Sequence, residues 1–210
     1  MDAEALREEV ATAKRTQLDR LGSEKLLVAF TEATLDRESV LATAADSEFA
    51  AAETFAAWAD DEESETARAA FEAVCDQERE HYERVTEHLP DHDEPDAAGP
   101  MHAYLRGLEG SIERVAAGLL GRPLVSTRSH TQVISFFVNE PDREMADLFR
   151  DLKSETGAEL ERGLETLDAL CADDEDWERA RSTAEYTIQV AYDDYADALK
   201  GMGLDPRPIC

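Results

Sequence analysis

The sequence predicts an all-α protein, because apolar residues recur at helical spacing through most of its length and no segment alternates convincingly as a strand does. The clearest segment is 71–89, where steps of three and four residues place a set of side chains on one helix face. These residues are Phe71, Val74, Glu78, His81, Val85 and Leu89. Helix caps, acidic turns and one proline-rich stretch then divide the chain into further helices.

The first half is predicted to contain a charged helix over 3–20, ended by Gly22, and a short apolar piece over 26–30. Thr34 or Asp36 caps a long helix that runs to residue 59, and the acidic turn 60–63 leads into a helix over 65–88. Segment 89–100 contains three prolines and is the clear linker. We therefore expect two antiparallel neighbouring helices before this linker.

The second half repeats this plan, with a helix over 101–120 that stops at Gly121-Arg122-Pro123, a helix over 126–138, and longer helices over 142–171 and 177–202. We assign 1–35 to an N-terminal helical extension, 36–171 to a helical bundle with its linker at 89–100, and 172–210 to a C-terminal helix with a loose tail. The last helix carries a stripe that is predicted to pack internally or to form a dimer surface. Its residues are Ile188, Tyr192, Tyr195, Leu199 and Met202.

The formal charge is −28, from 49 acidic and 21 basic residues. Such a surface is typical of a halophilic cytoplasm, where the Debye length falls to roughly 3 Å at 1 M salt and like charges hardly repel. The charge argues against nucleic acid as a direct partner, since phosphate binding needs clustered lysine and arginine. No apolar run approaches the ~20 residues of a membrane span, and the acidic residues 1–10 do not resemble a secretion signal. We therefore predict a cytoplasmic protein without a membrane partner.

Glu78 and His81 lie in the middle of an apolar helix face, where an unpaired carboxylate or imidazole is costly. A Glu-x-x-His pair that projects into a four-helix bundle is a recurring ligand set for iron or manganese. Two simpler explanations stay open at this point. In one of them Arg68 or Arg84 neutralises the pair, and in the other this helix face is turned to solvent.

A second stripe, on the preceding helix, has Glu48 at its centre. It comprises Leu41, Ala45, Glu48, Ala52, Phe55 and Ala59. Glu48 lies as far before the connecting turn as Glu78 lies after it, to within two residues, so at a rise of ~1.5 Å per residue both reach almost the same level. The spacing predicts that Glu48, Glu78 and His81 converge from a helical hairpin.

The segments SEFAAAETFAAWADDEE and AAFEAVCDQEREHYERV, which carry these three residues, resemble the first half of the rubrerythrin family, within the ferritin-like superfamily. An aromatic residue, Phe55, follows Glu48 by seven positions as in that family. The resemblance implies a ferritin-like up-down four-helix bundle, here with additional N- and C-terminal helices, that is often dimeric and reduces peroxide or oxidises iron. It also implies that Glu48, Glu78 and His81 are metal ligands. The family's rubredoxin segment is missing, so a separate electron donor is expected.

The second half departs from the family. A faint duplication at an offset of 78 residues places Ser126, Thr156 and Glu159 where a symmetric site would repeat its ligands, and only Glu159 can ligate a metal well. His130, one turn beyond Ser126, is a candidate substitute. Further acidic candidates are Glu109, Glu113 and Glu155.

Two functions of different classes follow. The first is a redox protein that holds iron or manganese, as one ion or two. The second is a bundle that has lost its metal and acts as a structural or interaction protein, with a homodimer expected in either case. Residues outside the site are predicted to be solvated histidines (His88, His92, His102), core aromatics (Phe55, Trp58, Phe136, Phe137) and a small buried thiol (Cys75).

Overall fold

The computed structural model describes residues 1–89, 92–95 and 98–207. Over this part of the chain the protein is helical and contains no strand, which confirms the predicted all-α class. The predicted linker 89–100 falls partly outside the described residues, at positions 90, 91, 96 and 97. The end of the predicted loose tail, 208–210, also lies outside them.

The first half contains α1 (Ala3–Ala13), α2 (Arg15–Leu21), α3 (Lys25–Phe30), α4 (Arg37–Asp61) and α5 (Glu65–Thr86). The helix predicted over 3–20 is thus two helices, which break at Lys14. Asp36, one of the two predicted caps, accepts a 2.8 Å hydrogen bond from the backbone N–H of Ser39 and begins α4. The acidic segment at 62–64 then turns the chain back into α5.

The second half contains α6 (Pro100–Arg106), α7 (Ser111–Val115), a π-helical segment (Ala116–Gly121), α8 (Arg122–Asn139), α9 (Arg143–Leu170) and α10 (Asp174–Gly201). Asp142 and Asp173 cap the last two helices by accepting hydrogen bonds from backbone N–H groups of their first turns. The long helices predicted over 142–171 and 177–202 are confirmed to within three residues at each end.

The predicted helix stop at Gly121-Arg122-Pro123 is wrong, because α7, the π-helical segment and α8 follow one another without a break. In the π-helical segment the N–H of Arg122 bonds to the carbonyl of Ala117, five residues earlier. The same register would pair the carbonyl of Gly118 with Pro123, which has no N–H to give. The side-chain Nε of Arg122 donates to this carbonyl instead, at 3.3 Å.

The long helices form two hairpins, α4 with α5 and α8 with α9, and α5 also contacts α9. Helix α10 packs against the π-helical segment and against α1, α2 and α3, so the helices at the two ends of the chain share one core with the hairpins. Ile188, Tyr195 and Leu199 of the predicted α10 stripe are fully buried in this core. These three residues are therefore internal packing within one chain, whereas Tyr192 and Met202 are half-buried.

Two glycines allow close helix contacts at the π-helical segment. A Cβ on Gly163 of α9 would lie 2.4 Å from the carbonyl oxygen of Leu119, and a Cβ on Gly118 would lie 2.7 Å from the ring of Trp58. Phe55 and Trp58 are buried as predicted, as is Phe137. None of the described helices has the length and apolarity to cross a bilayer.

Candidate metal centre

Glu48, Glu78 and His81 meet in the interior, with one potential ligand atom from each lying within 4.8 Å of the others. The exposed fraction of Glu48 is 5%, and Glu78 and His81 are fully buried. Nδ1 of His81 lies 3.7 Å from Oε2 of Glu48 and 3.8 Å from Oε2 of Glu78. The structure therefore brings together the three side chains that helical spacing selected.

These separations are close to those of ligands around a single ion. Atoms that bind one ion at about 2.1 Å lie about 3.0 Å apart at octahedral angles and about 3.4 Å apart at tetrahedral angles. The contacts of Nδ1 of His81 with Glu48 and Glu78 are longer than these values by about 0.3–0.8 Å, so the three side chains would have to move inward to bind one cation. A mixed set of two carboxylates and one imidazole suits iron, manganese or zinc.

Two of the ligand atoms have no hydrogen-bond partner among the described residues. They are Oε2 of Glu78 and Nδ1 of His81. A buried polar atom without a partner costs free energy that a proton or a cation can recover. The unsatisfied atoms face the same point, so a cation there would satisfy both.

His81 is oriented by Glu155, which the sequence offered only as a further candidate ligand. Nε2 of His81 lies 2.7 Å from Oε2 of Glu155, and Arg84 bonds both oxygens of the same carboxylate at 2.9 and 3.1 Å. The imidazole therefore donates its Nε2–H outward and turns Nδ1 towards Glu48 and Glu78. Metal-binding histidines are commonly held in this way, by a carboxylate on the other ring nitrogen.

His130, the predicted substitute ligand, lies on the other side of Glu48. Its Nε2 is 3.2 Å from Oε1 of Glu48, and the residue is 5% exposed. Its contact is thus with a carboxylate, which it orients, and Nδ1 of His130 has no partner among the described residues. His130 is a neighbour of the three-residue cluster, which itself comprises Glu48, Glu78 and His81.

Arg122 is the residue that the sequence analysis missed. Its Nη2 donates to Oε1 of Glu78 at 2.8 Å and also to Oε1 of Glu159, and the side chain lies over the ring of Phe55, 5.1 Å from its centroid. Arg122 is 2% exposed and Glu159 is fully buried. Glu159, a predicted ligand, therefore binds a guanidinium.

Glu48 and Glu78 have opposite protonation tendencies. Burial opposes the ionisation of Glu48, but its polar contacts with Glu78 and with the two neighbouring imidazoles outweigh burial and hold the pKa of Glu48 well below its ordinary value. Burial raises the pKa of Glu78 well above its ordinary value, against the attraction of Arg122. The adjacent charge of Glu48 adds to this increase. Of the two carboxyl groups, Glu78 therefore binds a proton more readily than Glu48.

The pKa values of His81, Arg122 and Glu159 are shifted by the same neighbours. Burial opposes the protonation of His81, but the adjacent carboxylates of Glu48 and Glu155 outweigh burial and raise the pKa of His81 above its ordinary value. Burial likewise opposes the charge on Arg122. The nearby carboxylates of Glu159 and Glu78 outweigh burial, so the pKa of Arg122 is raised. Burial raises the pKa of Glu159 although Arg122 favours its ionised form. The interior thus contains one permanent positive charge among three carboxyl groups.

Several other expectations from the sequence differ from the structure. Arg68 does not reach Glu78, because it donates to the backbone carbonyl of Glu62, and Arg84 reaches His81 only through Glu155. Glu109 is exposed. The remaining candidates have local partners: Glu113 pairs weakly with Arg179 at 3.9 Å, and the hydroxyl of Thr156 bonds to Leu152 in its own helix.

His102 was predicted to be solvated, and this is wrong. It is 4% exposed and belongs to α6, which packs against α4 and α10. Burial and the nearby charges of Arg122 and Arg106 lower the pKa of His102 to about 3, so its imidazole is neutral. The burial of His102 could not be predicted from the sequence, because the proline-rich linker before it gives no indication of how the following short helix packs.

Comparisons of the chain with protein-family models, with curated proteins and with solved structures gave no match. The resemblance to rubrerythrin over residues 41–89 therefore stays a prediction from the sequence.

Proposed function

We propose that this protein is a ferritin-like helical bundle, similar to rubrerythrin, that binds one iron or manganese ion through Glu48, Glu78 and His81 and reacts with peroxide or oxygen. The observation that carries the proposal is the convergence of three buried ligand atoms, two of which have no partner among the residues that the structure describes. Both helical hairpins contribute to the surroundings of this point, as the ferritin-like arrangement requires.

A single ion fits the charge distribution better than two. A second ion beside Glu78 would need Glu159 as its other carboxylate, and the guanidinium of Arg122 already bonds both. Arg122 cannot lose its proton in a protein. It therefore supplies at this position the positive charge that a second ion would otherwise bring.

The surrounding residues have separate roles in this proposal. Glu155 fixes the imidazole of His81 with Nδ1 inward, His130 holds one oxygen of Glu48, and Arg122 holds one oxygen of Glu78. Each ligand is thus oriented by a partner outside the three-residue cluster, which favours a preformed site. When bound there, iron or manganese supplies one-electron redox chemistry towards peroxide or oxygen.

A metal-free structural role is the second candidate, and Arg122 is the observation that favours it. The pair of hydrogen bonds from Arg122 to Glu78 and Glu159 neutralises part of the buried charge without a cation. In this case the protein would be a helical interaction module. The predicted homodimer and salt-rich cytoplasm belong to both candidates as proposals, and the separate electron donor belongs to the redox candidate alone.

Metal analysis of the full chain, purified in high salt, distinguishes the two. We expect about one iron or manganese per chain in the wild type, and its loss in both His81→Ala and Glu78→Gln. His88→Ala, in the segment after α5, is the control and keeps the metal. A wild-type protein that contains no metal, and whose thermal unfolding does not change on adding Mn²⁺ or Fe²⁺, would exclude the redox function.

A further inference from the structure

A cavity of about 740 Å³ lies between α3, α4, α6, α8 and α10. It extends from the exposed residues Glu32 and Gly201 to the buried residues Glu48 and His130. Its lining is mainly apolar, and its volume is within the range of small-molecule binding sites. The cavity therefore joins the protein surface to one side of the candidate metal centre.

His102 gives this cavity a hydrogen-bond acceptor. The hydroxyl of Thr54 donates its proton to the carbonyl of Ala50 at 2.7 Å and accepts a hydrogen bond from Nε of Arg106 at 3.1 Å. Its contact with Nδ1 of His102, at 3.3 Å, must then be one in which the imidazole donates. Since His102 is neutral, its Nε2 has a lone pair and no proton.

That lone pair has no partner among the described residues, although His102 is 4% exposed and lines the cavity. Nδ1 of His130, which also lines the cavity, is likewise without a partner there. A buried polar atom without a partner is destabilising, so a ligand that donates a hydrogen bond would recover this free energy. Two buried residues of the cavity lining thus each carry a ring nitrogen that has no partner among the described residues.

The charged residues of the lining select against anions. Glu32, Asp46 and Asp194 line the cavity, and no lysine or arginine of the described chain does so. A carboxylate or phosphate would meet like charges here with no cation to pair with, in an apolar setting. An anion is therefore excluded. A cation would find Asp46 and Glu48 already paired with His92 and His130, so the mainly apolar lining favours a neutral occupant.

We infer that this cavity binds a neutral, mainly apolar small molecule with a hydroxyl group, which donates its O–H to Nε2 of His102. This ligand lies against the apolar lining and beside Glu48 and His130. The inference deepens the proposed function, and rests on it, because it makes such molecules the class of organic substrate that reaches the metal centre. Binding itself does not require the metal.

The test uses three probes that share one ring system: 1-naphthol, 1-naphthoate and naphthalene. We expect saturable binding of 1-naphthol to the full chain by calorimetry, with naphthalene roughly five- to tenfold weaker for lack of one hydrogen bond, and no binding of 1-naphthoate. His102→Leu reduces the affinity for 1-naphthol to that for naphthalene and leaves Mn²⁺ binding unchanged. Equal binding of 1-naphthol and 1-naphthoate, or none of 1-naphthol, overturns the inference.

A second pair of variants covers the case in which His102→Leu does not fold. Ser129→Phe fills the cavity from a half-buried position on α8 and abolishes 1-naphthol binding, whereas Ser135→Phe, on the exposed face of the same helix, does not. Glu78→Gln, which is outside the cavity lining, loses Mn²⁺ but still binds 1-naphthol. If the wild type binds 1-naphthol but not Mn²⁺, the ligand site is supported and only the proposed metal function fails.

Discussion

Nη2 of Arg122 lies 2.8 Å from Oε1 of Glu78, so a fixed positive charge holds one oxygen of the carboxylate whose other oxygen faces His81. Glu78 therefore belongs to two groups at once. On one side it is paired with Arg122 and Glu159, and on the other it meets His81 and Glu48. This division places a cation site and a guanidinium site side by side in the same interior.

Arg122→Met should destabilise the metal-free protein by about 3–5 kcal/mol, because it leaves two buried carboxyl groups without their positive partner. Adding Mn²⁺ should stabilise the variant more than the wild type, since a cation then neutralises the same carboxylates. The measurement is chemical unfolding with EDTA and with Mn²⁺. Arg84→Met, which removes a partly exposed arginine, is the control and should cost about 1 kcal/mol or less. Equal stability of Arg122→Met and wild type in EDTA would contradict this role.

The comparison of Glu78 with Arg122 shows which residues of the site could be predicted from the sequence. Glu48, Glu78 and His81 lie on regular helices. The spacing of apolar residues and the length of the turn that connects α4 to α5 were therefore enough to predict that the three side chains meet. Arg122 follows a glycine and precedes a proline, and this local pattern is typical of a helix end. The chain continues as a helix there because tertiary contacts, including the approach of Leu119 to Gly163, support a π-helical segment. No local signal contains that information.

His102 escaped prediction for a related reason. It follows the linker, and only the packing of α6 against α4 and α10 buries it. Its effect on stability should be visible in the pH dependence of unfolding. The pKa of His102 is about 3 in the folded protein against 6.5 for a free imidazole, so between these values the unfolded chain binds one more proton.

The contribution of neutral His102 to the free energy of unfolding is therefore fully present above pH 6.5. It is lost as the pH falls towards 3, with a slope of about 1.4 kcal/mol per pH unit. Between pH 6.5 and pH 5 this loss amounts to about 2 kcal/mol. His102→Leu should remove this part of the slope, as measured by urea unfolding at several pH values at constant salt. An identical slope in wild type and variant would show that His102 can be protonated in the folded state.

Glu155 should control metal affinity although it is not one of the three proposed ligands. Glu155→Leu removes the carboxylate that accepts the Nε2–H of His81, and loss of such a partner weakens metal binding by roughly 10- to 100-fold. Titration with Mn²⁺ measures the change. Asp151→Leu is the matched control, because Asp151 lies 3.8 Å from Arg84 but is not a partner of His81. Equal affinity in both variants would mean that Glu155 does not orient the imidazole.

Two glycines of α9 should respond in opposite ways to the same substitution. Gly163→Ala places a Cβ 2.4 Å from the backbone oxygen of Leu119, so the π-helical segment must shift, and we expect a loss of about 1–3 kcal/mol of stability. The Cβ of Gly157→Ala meets nothing within 4 Å, and this variant should gain up to about 1 kcal/mol of stability from better helix propensity.

The π-helical segment that must shift in Gly163→Ala directly precedes Arg122, so this variant should also weaken the contact of Arg122 with Glu78. Its Mn²⁺ affinity should therefore change, whereas that of Gly157→Ala should not. A stable Gly163→Ala protein with unaltered Mn²⁺ affinity would show that the π-helical segment does not influence the metal centre.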